Sequence, residues 1–206
     1  MYKLLKNIRI TVLGCLCLVF VGCSYSPYRY SFSLIDPLSE TMKFEDRSVQ
    51  FRFVPSPENI HVVIKNKTDH EIKLVRKSAE YIDYSGESHR IHYGYDYAQE
   101  VIDFAETNDL FIPSLRIDPD SEITGYVWVN IWPDFCMGDG RISFTDAQVN
   151  YLKEPFFPRY SFEGSVENLK NSTFNLILPI DFGEYVRDYA FTFKIDDVIY
   201  PIIDKN

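Results

Sequence analysis

From Ile60 to Tyr93 the chain alternates apolar and polar residues and breaks the alternation with turn chemistry. The stretch reads IHVVIKNKTDHEIKLVRKSAEYIDYSGESHRIHY. Ile60, Val62 and Ile64 alternate with His61, Val63 and Lys65, the period of a strand. Asn66-Lys67-Thr68-Asp69 follows as a turn whose side chains suit bonding to their own backbone. Ile72, Leu74 and the apolar part of Arg76 then line one face of a second strand. Tyr81-Ile82-Asp83-Tyr84 leads into Ser85-Gly86, where glycine supplies the positive φ of a tight hairpin, and His89–Tyr93 is the return strand. Three strands in so short a stretch constrain the body to antiparallel β structure.

The same period recurs on both sides. Ser48–Val54 places Val49, Phe51 and Phe53 on one face and Gln50 and Arg52 on the other, and Pro55 and Pro57 end it. Ser121–Trp132 is a long strand with Val127, Val129 and Ile131 on one face and Tyr126, Trp128 and Trp132 on the other. Phe111–Leu115 precedes it, and Ala98–Asn108 reads as one helical turn or as a loop crossing the sheet. Thr173–Pro179 sets Phe174, Leu176 and Leu178 against Asn175 and Ile177, and Asp181-Phe182-Gly183-Glu184 connects it to Arg187–Asp196. There Tyr189, Phe191, Phe193 and Ile195 share a face, and Asp196-Asp197 is expected to turn the chain into Val198–Ile203. The 206 residues are 16% aromatic, which favours strands, and are enough for a sizeable core.

The first 22 residues have a different grammar. A basic start, MYKLLKNIR, leads into the apolar run Ile10–Val21 and then Gly22 before Cys23. That is the layout of a secretory signal, and about 12 apolar residues are too few to cross a ~30 Å hydrocarbon layer, which takes roughly 20. Phe20-Val21-Gly22-Cys23 resembles the lipobox of bacterial lipoproteins, with Phe20 where leucine is usual. The resemblance implies cleavage between Gly22 and Cys23 and acylation of the Cys23 thiol. Val12-Leu13-Gly14-Cys15 also looks like a lipobox but would leave an apolar run of only about four residues. Ser24, not Asp, follows Cys23, which by the family's sorting rule implies the outer membrane where two membranes are present. Cys15 and Cys17 would leave with the signal. Cys136 would then remain alone, as a small buried hydrophobe or a reactive thiol, with no intrachain disulfide.

The expected organisation is a signal peptide over 1–22, a lipidated tether over 23–47 with a short strand at Tyr30–Leu34, and a β domain over 48–206. Residues 133–172 are expected as an insertion or lid, with Ile142–Phe144 and Phe156-Phe157 supplying an extra hairpin. The hydrophobic strand, Asn66-Lys67-Thr68, second strand, Tyr81–Gly86 and Ser88-His89-Arg90-Ile91 resemble a family of uncharacterised bacterial envelope lipoproteins. Ile112-Pro113, Ile117–Ser121, Phe174–Pro179 and Tyr189–Ile195 extend the likeness, and 133–172 falls outside it. The resemblance implies an immunoglobulin-like antiparallel β-sandwich, one elaborated domain, and carries no activity with it.

The formal net charge is -9, and the basic leader makes the remainder more acidic still, which excludes a nucleic-acid role that depends on Lys and Arg for phosphate contacts. On a strand His89 and His92 point to opposite faces and cannot share a metal, while Arg90 shares the His92 face and disfavours a cation. Asp134, Asp139 and Asp146 lack the spacing of a calcium loop. Asn66-Lys67-Thr68 matches a glycosylation sequon. No nucleophile elbow, phosphate loop or zinc-protease motif occurs, so no catalytic residue, metal or cofactor is assigned, although the 30 acidic residues leave paired carboxylates open. The sequence therefore points to a non-catalytic envelope lipoprotein, attached to the membrane by its lipid, with a structural or protein-binding body. The alternative is a carbohydrate- or peptidoglycan-binding module that stacks sugars on Tyr126, Trp128 and Trp132, rings whose first reading is core.

Overall fold

A computed structural model describes residues 27–96, 113–129 and 155–200. Among them lie twelve strands: β1 Arg29–Asp36, β2 Leu38–Ser39, β3 Lys43–Glu45, β4 Val49–Pro55, β5 Ile60–Asn66, β6 Ile72–Leu74, β7 Glu80–Ile82, β8 Ser88–Gly94, β9 Leu115–Ile117, β10 Glu122–Val129, β11 Thr173–Asp181 and β12 Val186–Ile199. The one other regular element is a single 3₁₀ turn, Arg76–Ser78. Every pairing is antiparallel. The protein is all-β, and among the described residues no helix is long and apolar enough to cross a membrane.

The strands follow one path, β2-β1-β12-β11-β7-β8-β10-β5-β4-β3, with β6 on β11 and β9 on β6. The two ends of that path, β2 and β3, are close neighbours in sequence, so the sheet curls into a nearly closed barrel. Ser39 Oγ accepts from the backbone of Lys43 at 3.1 Å, and Phe53 N donates to Met42 O at 3.0 Å, which fastens this seam. The opposite corner is β8. Its first half, Ser88–Arg90, pairs with β7, and its second half, Ile91–Gly94, pairs with β10.

Tyr93 stiffens that corner by reaching across β10. Its hydroxyl donates to Val62 O on β5 at 3.2 Å, and its ring lies over Gly125. A Cβ at residue 125 would come within 3.1 Å of the ring and 3.0 Å of Gly94 O, so the absent side chain is what lets the ring pass.

Alternation fills the interior. Val49, Phe51 and Phe53 of β4 are buried, as are Tyr189, Phe191, Phe193 and Ile195 of β12. These strands share no ladder and meet only through side chains. Phe53 and Phe191 are 4.6 Å apart between ring centroids, Phe51 and Phe191 4.9 Å, Phe51 and Tyr189 5.1 Å, and Phe53 and Phe193 5.2 Å. Outward positions carry Gln50, Arg52, Lys65 and Glu122. An aromatic interior under a charged exterior is the reverse of a lipid-facing barrel.

Four features depart from the sequence expectations. Residues 29–45 are not a tether: β1 pairs with β12 from Arg29↔Ile199 onward, and Leu34 is fully buried. The body begins by Tyr28, because Tyr30, Phe32 and Leu34 share one face of β1 and pack on the core. Asp196-Asp197 is a bulge within β12 rather than a turn. Ser31 pairs with Asp197 and Phe32 with Ile195, so Asp196 is the extra residue and the phase shifts to bring Val198 inward.

Phe156-Phe157 belongs to no strand, yet both rings are buried with Val166 and Leu169. The described part of the expected lid, residues 155–172, is a plug rather than a cover. Finally, β5 and β6 flank a turn but lie in different parts of the barrel, β5 on β4 and β10 and β6 on β11 and β9.

Replacing Phe191 removes the ring that meets both Phe51 and Phe53. Phe191→Ala is expected to cost about 3–5 kcal/mol in urea unfolding, the range for deleting a fully packed aromatic side chain. A loss below ~1 kcal/mol would mean that the two halves do not depend on this contact.

Candidate functional site

The aromatic face of β10 carries the ligand reading. Thr124, Tyr126 and Trp128 point outward, opposite Val127 and Val129, as the alternation predicts. His61 Nε2 and Thr124 Oγ1 are 2.8 Å apart, the His61 and Tyr126 rings are 5.1 Å apart, and Tyr126 and Trp128 are 5.7 Å apart. Trp128 is only 3% exposed and Tyr126 36%. A stacking platform needs an open indole face, so Trp128 is a packed residue and not part of a platform. Trp132 lies outside the described residues.

The β7–β8 hairpin holds a polar cluster around Asp83. One oxygen of Asp83 accepts from Ser85 N at 2.8 Å, Ser85 Oγ at 2.7 Å and Glu87 N at 2.9 Å, and the other meets His89 Nε2 at 3.1 Å. Burial raises the Asp83 pKa, but the donors from Ser85, His89 and Glu87 outweigh it and bring the group from 3.8 down to about 2. Ligand atoms of Asp83, Glu87 and His89 lie within 4.8 Å of one another, which is a geometry a cation could use. Sequence reasoning tested His89 with His92 and missed this trio. The signal was the tight turn itself, which folds Asp83 back against residue 89.

The Asp83 carboxylate is already occupied by four donors, and a group with a pKa near 2 neither supplies nor takes a proton at neutral pH. The trio therefore reads as a lock on the turn. Gly86 at φ 88° completes it. Across the hairpin Arg90 stands opposite Glu80 and is exposed, while His92 is 4% exposed opposite Trp128. His89 and His92 thus occupy opposite faces, as strand alternation requires.

Asn66, the sequon residue, is completely buried. Its Nδ2 donates to His70 O at 2.7 Å and to Ile117 O and Asp118 O at 3.1 Å, and its Oδ1 accepts from Thr68 N at 2.8 Å and Thr68 Oγ1 at 2.7 Å. Asn-x-Thr here is a structural knot, with no amide left to modify in the folded state.

Arg76, 8% exposed, donates to Pro113 O at 2.8 Å and Tyr93 O at 3.2 Å. Asp46 ties β12 to the β3–β4 turn. It accepts from Ser48 N and Val49 N, from Arg187 at 3.0 Å and from Tyr189 Oη at 2.9 Å. Burial works against its charge, but these donors together hold its pKa below the usual carboxylate range.

Gly22, Cys23, Cys15, Cys17 and Cys136 lie outside the described residues, as do Asp134, Asp139, Asp146 and residues 98–108. No protein-family model, curated protein or solved structure matches the chain, so function has to be read from the residues themselves.

Two outcomes follow. Trp128→Ala is expected to destabilise the fold by about 3–5 kcal/mol, as for a core aromatic; an unchanged unfolding midpoint would restore the platform. Asp83 has a folded pKa below its unfolded one, so its stabilisation is present above about pH 4 and is lost as pH falls toward 2. Urea midpoints of wild type and Asp83→Asn should differ at pH 6 and converge toward pH 2; a constant gap would mean that the charge is irrelevant.

Proposed function

We propose that this chain is a non-catalytic lipoprotein of a bacterial cell envelope, held at the membrane by an acylated Cys23, whose body serves as a structural or protein-binding module. The observation that carries the proposal is the N-terminal pattern: a basic start, the short apolar run Ile10–Val21, and Phe20-Val21-Gly22-Cys23. Several acyl chains on one cysteine anchor durably, since each buried CH₂ contributes about 0.8 kcal/mol.

The polar groups of the body favour a scaffold over an enzyme. Asp83, Asn66, Arg76 and Asp46 each have their hydrogen-bonding capacity engaged in holding turns and seams. We read the nearly closed barrel as an elaborated immunoglobulin-like sandwich, since β4 and β12 pack face to face through rings without sharing a ladder. The chain is assigned to the outer membrane where a second membrane exists, because Ser24 follows the cysteine. Another envelope protein is the expected partner.

Mass spectrometry of the membrane fraction tests the anchor. The expected mature N-terminus is an acylated Cys23, and Cys23→Ser should release the protein from the membrane. An N-terminus at any other residue, or an unmodified cysteine on membrane-bound protein, refutes the proposal. Crosslinking in cells followed by identification of the captured chain tests the binding role.

A further inference from the structure

We propose that the end of the barrel at which β1 begins and β12 finishes rests on the lipid surface, with Tyr84, Phe162 and Tyr200 as its contact side chains. This rests on the reading of Cys23 as the anchor. Three observations lead to it.

The first is the length of the link. Arg29 is locked opposite Ile199, and Tyr28 N donates to Arg159 O at 2.8 Å. Only Ser24 to Tyr28 separate the lipidated cysteine from the barrel, and five residues reach at most ~18 Å. The body cannot stand off from the bilayer by more than about that distance.

The second is the length of the body. β12 runs 14 residues, Val186–Ile199, as one strand that continues through the bulge at Asp196. At about 3.3 Å per residue the strand extends roughly 45 Å, more than twice the reach of the link. Its two ends therefore have different relations to the membrane. The Tyr200 end is beside the anchor, and the β11–β12 turn at Glu184 is remote from it.

The third is what the near end exposes. Tyr200 is 49% exposed, Tyr84 52%, Ile199 56% and Phe162 67%. Each of the three rings packs on a neighbour: Tyr200 on Tyr28 at 5.6 Å, Tyr84 on Phe157 at 6.5 Å, and Phe162 stacked on Tyr160 at 5.3 Å. The plug keeps this surface together, since Tyr30 Oη donates to Pro158 O at 2.6 Å and Phe157 N to Pro57 O at 3.1 Å.

Exposed tyrosine and phenylalanine rings favour the boundary between headgroups and acyl chains. Among the described residues around them Arg159 is paired with Glu163 at 2.8 Å and Lys170 with Asp197 at 2.8 Å, and the chain carries a net charge of -9, so its charge does not draw it to anionic lipid. The contact is made by rings and is insensitive to salt. The remote turn also exposes an aromatic, Tyr185 at 54%, which makes it an internal control of equal chemistry and opposite placement.

Nitroxide labels distinguish the two ends. The lipidated full chain, in a Cys136→Ser background, carries Glu87→Cys near the anchor or Glu184→Cys at the remote turn. Each is reconstituted in phosphatidylcholine vesicles, with and without phosphatidylglycerol, and mass spectrometry of the same sample reports on Cys23. The label at 87 is expected to lose collisions with an aqueous nickel chelate on reconstitution, equally in both lipids and at high salt. The label at 184 is expected to keep the accessibility it has in detergent.

Tyr84→Ser, Phe162→Ser and Tyr200→Ser together should restore access at 87 while acylation persists. Equal access at both positions, protection at 184 instead, or protection at 87 that survives the triple change would overturn the orientation while leaving the anchor standing. An unacylated Cys23 would overturn the anchor, and the orientation with it.

Discussion

Two strands that exchange no backbone hydrogen bond hold this molecule together. β4 and β12 lie on opposite sides of the core, and Phe51, Phe53, Tyr189, Phe191 and Phe193 interleave between them. Each ring pair adds about 0.5–1.5 kcal/mol beyond the burial of its area, because tilted and edge-to-face contacts use the quadrupoles of both rings. Everything else in the fold arranges for these faces to meet. The sheet must curl, so it needs two corners, and each has its own device. β8 changes partner halfway along its length, and the Tyr93 ring crosses the gap that Gly125 leaves open. The other corner is the short strap from β2 to β3, closed by Ser39 and Met42.

Buried and half-buried polar groups fix which strand goes where. Asn66 ends β5 and simultaneously holds the carbonyls of Ile117 and Asp118, so the chain leaving one part of the barrel is bound to the chain returning to it. Asp46 does the same between the β3–β4 turn and β12. Both work because every donor and acceptor finds a partner. A buried polar group left half-satisfied would cost about 1–3 kcal/mol, so the network specifies one arrangement and penalises its neighbours.

Period-two alternation made β4, β5, β10, β11 and most of β12 legible in the sequence, because the signal is local to each strand. Partner choice was not, since β5 and β6 are consecutive yet join different neighbours. Composition misled in two places. Asp196-Asp197 has turn chemistry but sits in a bulge, where Ser33 donates to Asp196 and Lys170 pairs with Asp197. The segment expected as a tether with a short strand at Tyr30–Leu34 holds the longer strand Arg29–Asp36, which Pro27 and Pro37 flank without entering. The candidate site fared differently. Alternation correctly set Trp128 apart from Val127, but an outward-pointing side chain is not an exposed one, and burial depends on parts of the chain distant in sequence.

The same distinction bears on function. An aromatic residue signals a ligand only when its ring is open, and on β10 the Trp128 ring is closed, whereas Tyr185 and Tyr200, just beyond the two ends of β12, are each about half exposed. These ends are chemically alike, each offering a tyrosine beside an aliphatic residue, Tyr185 with Val186 and Tyr200 with Ile199. Sequence and burial alone cannot rank them. What separates them is the register Arg29↔Ile199, which places one end within five residues of Cys23 and leaves the other a full strand away. A short link and a long rigid strand therefore convert a symmetric surface into an oriented one. With Cys23 acylated as proposed, that geometry turns the rings near Tyr200 toward the bilayer and leaves the β11–β12 turn pointing away from it.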